Sequence, residues 1–208
     1  MKKYEFTGET KQIDYLFKTV TLHRIKAVVS FGLIKAGELG GWVEKEENLS
    51  HEGNAWVYGD AKVYGNAEVS GDAKVYDNAK VYGDAWVYDN AKVYGDAWVS
   101  GDAWVSGNAE VSGDAKVSGN AKVYGDAEVF SASHVLVIGA IGSRNDFTTF
   151  YRDKDKDISV KCGCFKGKID KFLEKVTQTH GDSKHALVYR TAVEAAKLQI
   201  DLTEEKSK

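Results

Sequence analysis

Between residues 55 and 130 the apolar and polar positions of the chain follow a fixed beat of six. Valine stands at Val57, Val63, Val69, Val75, Val81, Val87, Val93, Val99, Val105, Val111, Val117, Val123 and Val129. Val135 and Ile141 carry the beat onward through less regular sequence, so that 15 consecutive slots are apolar. Alanine sits two residues before each valine from Ala55 to Ala127, and Ser133 and Gly139 hold that slot afterwards. In extended backbone the first and third side chains of Ala-x-Val point to one side and the middle one to the other. Small alanine and β-branched valine therefore line an interior, and the variable residue faces outward. The remaining Tyr/Ser, Gly/Asp and Asp/Asn turn a corner, since Gly, Asn and Asp tolerate left-handed backbone that valine adopts only at a cost. An α-helix fails, because a step of six scatters the valines around a cylinder of about 3.6 residues per turn. An antiparallel sandwich fails as well, because three-residue strands and three-residue turns are too short for its hairpins. Short strands joined by corners, coiling about one axis, satisfy every position.

These residues resemble the hexapeptide-repeat family, whose fold is a left-handed parallel β-helix with triangular coils of 18 residues. Handedness and the triangle are implied by that resemblance, not by the spacing. The expected fold is mainly β. Residues 51–142 form about five regular coils, a prism roughly 24 Å tall at about 4.8 Å between stacked strands. Residues 1–50 form an N-terminal cap and degenerate first coils. There Gly40-Gly41-Trp42-Val43 and Asn48-Leu49-Ser50 place Val43 and Leu49 six apart but two residues out of phase with Val57, a slip that a small insertion around His51-Glu52 explains. Residues 16–31, with Leu22, Ile25, Val28 and Val29, supply one or two capping strands, which the open strand edges of a β-helix end require. Residues 143–208 read as a small α+β module packed on the other end. Its hairpin has strands at Phe147–Tyr151 and Ile158–Phe165, and its two helices cover Ile169–Thr179 and Ala186–Leu202.

Composition narrows the class without naming a function. The 208 residues carry a net charge of -3, with 12% aromatic and 28% charged residues. Such a chain can bury a core and lacks the basic excess of a general nucleic-acid or membrane-surface binder. No run of 18 apolar residues occurs and the first 20 residues have no apolar h-region, so neither a membrane span nor a secretory signal is expected. Two cysteines cannot staple a fold of this size, and a reducing cytoplasm is the expected compartment. The repeat itself holds nine Asp, three Glu and six Lys. Its aspartates stand at turn positions and alternate with Asn between stacked coils, which limits like-charge repulsion.

Candidate chemistry is sparse. The family resemblance implies acyltransferases whose catalytic histidine lies between coils of adjacent subunits. Here no histidine occurs between His51 and His134, the outward slots hold only Trp, Lys and Glu, and no corner extends into a cofactor-covering loop. No cofactor is expected. His134 occupies an outward slot near the last coil and is the candidate base if an intersubunit acyltransferase site exists. The three coil histidines of zinc carbonic anhydrases are lacking. Trp56, Trp86, Trp98 and Trp104 stand in outward slots, with Trp86 and Trp104 one coil apart and Trp98 on the neighbouring face. Tyr58, Tyr76 and Tyr94 make one corner ladder, and Tyr64 and Tyr82 begin another. Corners become small at Ser100, Ser106, Ser112 and Ser118. The expected interface or ligand recess comprises Trp86, Trp98, Trp104, Tyr88, Tyr94, Ser100 and Ser106. Aromatic ladders also stabilise stacked strands without any partner. A homotrimer is implied by the resemblance. Cys162 and Cys164, one residue apart, admit a metal reading with His180, against a plain pair of small strand residues. Arg144 and Asn145 admit an anion site, against a structurally paired arginine. The combination of Leu39-Gly-Gly-Trp-Val, Asn48-Leu-Ser, the Gly-Asp-Ala-x-Val run, Gly142-Ser-Arg-Asn and Cys162-Gly-Cys-Phe is similar to bacteriophage and prophage hexapeptide-repeat proteins. That likeness implies an accessory protein of the bacterial host cytosol. Two functions follow from these readings. One is a non-enzymatic binding or scaffold protein that self-associates and captures a host protein or a small, nucleotide-type ligand to counter bacterial defence. The other is an acyltransferase-like enzyme.

Overall fold

The computed structural model describes residues 2–15 and 17–205. Its centre is a run of two-residue parallel strands, β4 (Trp56–Val57) through β16 (Glu128–Val129), one for every repeat. Each strand pairs with the one 18 residues further on, so that Val57, Val75, Val93, Val111 and Val129 form one column. Val63, Val81, Val99 and Val117 form a second column, and Val69, Val87, Val105 and Val123 a third. All these valines are 0% exposed. The architecture is a left-handed parallel β-helix, a solenoid of about five turns. Full burial of one such side chain is worth about 1.5–3 kcal/mol.

The corners explain the glycines. At Gly83 φ is +76°, and an added Cβ would come within 2.9 Å of the Gly101 nitrogen one coil along. Asp77 and Asp89 hold the equivalent slot with φ of 57°. Each accepts the backbone N–H of the next coil, from Gly95 and Gly107 respectively, at 3.1 Å, a local bond that offsets the strain of a left-handed aspartate. Beside them the carboxamides of Asn54, Asn66, Asn78 and Asn108 donate to Asp72, Asp84, Asp96 and Asp126 at 2.7–3.2 Å. The Asn/Asp alternation is thus a set of hydrogen bonds between rungs.

The ends of the solenoid sit one step from where the beat alone puts them. Val43 pairs with Val63 and Leu49 with Val69, giving a first coil of 20 residues whose surplus lies at the His51-Glu52 turn. The five turns therefore run from Val43 to Val129. Val135 and Ile141 keep the spacing but leave the spiral, in β17 (Val135–Ile141), which pairs antiparallel with β18 (Asp146–Arg152). The corner slots there hold Ser131-Ala132 and Val137-Ile138 instead of Gly-Asp. Lacking residues that turn cheaply, the chain runs straight. The boundary expected at residue 142 moves to about residue 130 for this reason.

At the N-terminal end, β1 (Tyr4–Tyr15) and β2 (Lys18–Ala27) form a hairpin, and β2 pairs antiparallel with β3 (Leu39–Val43). The hairpin so extends the sheet of the Val63 column. Leu16, which opens the expected capping stretch, lies outside the described residues. Tyr4, Ile25, Ala27 and Ile34 close the hydrophobic bore. They also cover Trp56, which is 0% exposed with Phe31 at 5.4 Å and Tyr4 at 6.2 Å between ring centroids. Trp56 thus stands in an outward slot, as the repeat requires, but the cap shields it from solvent. Lys3 is buried there as well, its Nζ donating to the Ala55 carbonyl at 2.9 Å. Burial lowers its pKa to about 8, against a smaller opposing pull from Asp72. Between that value and the ordinary lysine range the unfolded chain holds the extra proton, so this group adds stability as pH rises through the window and loses it as pH falls. Lys3→Met is expected to remove that slope. Measured by thermal denaturation, wild type gains on the variant between about pH 8 and 10.5; parallel curves would refute it.

The C-terminal module contains four antiparallel strands in sequence order, β17, β18, β19 (Ile158–Cys162) and β20 (Phe165–Lys168), instead of a simple hairpin. Helices α1 (Ile169–His180) and α2 (Lys184–Gln199) pack on the sheet through Phe150, Val160, Phe172, Tyr189 and Val193. Strand β18 joins module to solenoid: Tyr151 enters the solenoid core, and Ala127 bridges to Asp153. Lys168 Nζ, at the end of β20, lies 2.6, 3.1 and 3.5 Å from the carboxylates of Asp153, Asp155 and Asp157 in the turn after β18, so one ammonium bridges three crowded acids and offsets part of their mutual repulsion.

Candidate functional site

Two of the three prism faces meet at an aromatic edge. On one face the outward residues in order are Trp42, Lys62, Lys80, Trp98 and Lys116. Trp42 is covered by Val20 and Leu22 of the hairpin. Trp98 stays 36% exposed, with Lys80 Nζ 4.6 Å and Lys116 Nζ 5.3 Å from its ring centre. On the adjoining face the order is Glu68, Trp86, Trp104 and Lys122. Trp86 and Trp104 stack at 5.4 Å with 7° between planes, Trp86 remains 45% exposed, and Lys122 lies 4.9 Å over Trp104. Stacking of this kind follows from the 18-residue repeat, which sets like residues one rung apart. The cations add an attraction to the ring faces of about 0.5–1 kcal/mol at such exposure.

Not every residue expected at this edge belongs to it. Ser100 turns the corner between Trp98 and Trp104, and Tyr88 meets Trp104 edge-on at 6.5 Å. Ser106 is buried at a different corner. Tyr94 stands at the third corner, stacked on Tyr76 at 4.7 Å, with its hydroxyl donating to Glu110 at 3.0 Å. Of the residues expected at the edge, the structure brings together Trp86, Trp98, Trp104 and Ser100, with Tyr88 flanking Trp104 from the corner it shares with Ser106. The lysines that complete it were missed in the sequence. Their signal was the 18-residue register, which places Lys80 and Lys116 on either side of Trp98.

His134 is placed quite differently from an outward catalytic base. It ends a single 3-10 turn (Ala132–His134) and is 0% exposed. Its Nδ1 accepts the Phe130 N–H at 3.3 Å, and its Nε2 lies 3.2 Å from the Glu204 carboxylate. Desolvation lowers its pKa and favours the neutral ring. The ring is buried in this plugged end, which corrects the outward orientation expected of it. The position that an outward slot required is lost because the spiral has already ended at Val129.

The remaining candidates converge on the C-terminal module. Cys162 ends β19 and accepts a hydrogen bond from Thr148 Oγ1 at 3.2 Å. Gly163, with φ of 53°, then turns the chain, so that Cys164 sits in the loop and not on the same strand face. Among the described residues no group of three His, Cys, Asp or Glu side chains is placed to hold a metal ion, so Cys162, Cys164 and His180 do not converge as one. Those three residues nevertheless line one cleft together with Arg144. Asn145 is exposed beside that cleft with φ of 50° and does not line it. Among the described residues no helix is long and apolar enough to cross a membrane.

No family model matches the chain. A stretch of 62 residues, 28% of the chain, is 37% identical to a protein of Escherichia coli (strain K12) described as the uncharacterized acetyltransferase YdcK. The match spans 19% of that relative's length. The chain thus carries local similarity to a protein described as an uncharacterized acetyltransferase.

Proposed function

We propose that this protein is a rigid, non-enzymatic binding or scaffold protein that self-associates, as a homotrimer, along its aromatic edge and captures a further partner there. The observation that carries the reading is the pair of faces bearing Trp86, Trp104 and Trp98. Large rings held in one orientation at the surface are the makings of an interface centre. Ordering costs little here, since the rung-to-rung stack already fixes the rings. The likeness to phage and prophage proteins extends the reading to capture of a bacterial host protein or a small nucleotide in the cytoplasm. Acetyl transfer is the second reading, favoured by the local similarity to an acetyltransferase, and it needs a base other than His134.

Light scattering tests the first reading. Wild type is expected at three times the chain mass, and Trp98→Lys with Trp104→Lys is expected to run as a monomer that keeps its circular dichroism spectrum. An unchanged mass for the double variant would refute the interface. Titration with acetyl-CoA decides the second reading: saturable binding with acetyl release supports transfer, and no heat removes it.

A further inference from the structure

Away from the aromatic edge, the C-terminal module encloses a cleft of about 440 Å³, within the size range of small-molecule sites. Its walls come from separate elements: Ser143 and Arg144 between β17 and β18, Cys164 and Phe165 at the β19–β20 turn, α1, and Tyr189 of α2. The floor is apolar, built of Phe165, Phe172 and Val176, and Phe172 and Val176 are buried. The rim is cationic or protonatable, with Arg144, Lys175 and His180, and no Asp or Glu lines the cleft.

The loop that brings Arg144 here is held closely. Gly142 has φ of +71°, and a side chain at that position would overlap the Tyr189 hydroxyl. Ser143 and Cys162 are the close polar neighbours of that hydroxyl, whose pKa burial raises, and Ser143 Oγ lies 3.5 Å from His180 Nε2. Arg144 lies against Gly163, where an added Cβ would meet its Cδ at 3.2 Å. Close packing of two glycines thus sets the loop bearing Arg144 beside α1 and the β19–β20 turn. An apolar floor under a rim of one charge sign recognises a ligand that is apolar at one end and anionic at the other. A guanidinium binds carboxylate or phosphate oxygens with particular strength.

We infer that this cleft binds a small anion bearing a ring-sized apolar group, its carboxylate or phosphate held by Arg144, Lys175 and His180 and its ring resting on Phe172 and Val176. The site is independent of the tryptophan edge and of any self-association.

Isothermal titration of the full chain tests it with four probes: benzoate, phenyl phosphate, the neutral isostere benzyl alcohol, and inorganic phosphate. Benzoate or phenyl phosphate is expected to bind with a Kd below about 1 mM. Benzyl alcohol and inorganic phosphate, each engaging only half of the site, are expected to bind at least about tenfold more weakly. The tighter of the two anions identifies the head group and supports the site. Arg144→Gln with Lys175→Gln, both at exposed positions, is expected to weaken binding about tenfold or more with the melting temperature unchanged. Trp98→Lys with Trp104→Lys is expected to bind like wild type, which separates this site from the interface. Silence with all four probes, equal binding of benzyl alcohol, or undiminished binding by the Arg144/Lys175 variant would each overturn it.

Discussion

Val99→Asp is expected to abolish folding, while Trp98→Ala one residue away costs about 1 kcal/mol or less. Val99 is 0% exposed and stacks between Val81 and Val117 at the centre of its column. Its surroundings are the alanines and valines of the other two faces, which offer a carboxylate no donor and no counter-charge. An unpaired buried charge costs several kcal/mol even after relaxation, a large share of the about 5–15 kcal/mol that holds a domain together. Trp98 points the other way, and its removal forfeits chiefly the contacts with Lys80 and Lys116. Urea unfolding followed by circular dichroism reads both. A cooperative, near-wild-type transition for Val99→Asp would mean that the column does not face inward.

Arg152→Met is expected to lower stability by about 2–4 kcal/mol. The guanidinium is 1% exposed at the joint between solenoid and module. Its Nη1 donates to the Glu128 carboxylate at 2.8 Å, and it lies 4.8 Å over the Phe130 ring. Methionine fills much of the volume but leaves the Glu128 carboxylate, 27% exposed, without this partner at a low-dielectric seam. The loss is local, so hydrogen exchange should quicken first in β17 and β18 and last in the central coils. Glu128→Gln provides the second arm of a double-mutant cycle. Additive losses would show that the two side chains do not act as a pair.

The solenoid was legible because its constraint repeats. One side chain pointing inward every six residues forces the same answer at each turn, and even the two-residue slip before Val57 showed as a phase error between Leu49 and Val57. The same confidence in the beat misplaced the C-terminal end. Val135 and Ile141 satisfy the spacing, but only the corner residues distinguish a coil from a straight strand, and Val137-Ile138 cannot make a corner. Strand β1 was unreadable for the opposite reason: most of its residues are exposed, so no buried face imposes an alternation. Trp56 and Trp42 occupy outward slots yet are buried, because distant segments fold over them. The cleft was legible only in pieces. Arg144, Cys162 and His180 each stood out, but antiparallel pairing of β17 to β20 and the fold-back of α1 and α2 bring them together, and no local pattern announces that.

Since every rung repeats the one before it, height in this molecule is counted in whole steps of about 4.8 Å. The hairpin at one end grips the first coils, through Val43 and Trp56 and as far along as Tyr82, and the sheet module at the other grips the last, through Ala127 and Glu128. The middle coils therefore work as a spacer of quantised length. Evolution can lengthen or shorten the distance between the two caps by eighteen-residue duplications or losses without redesigning either one.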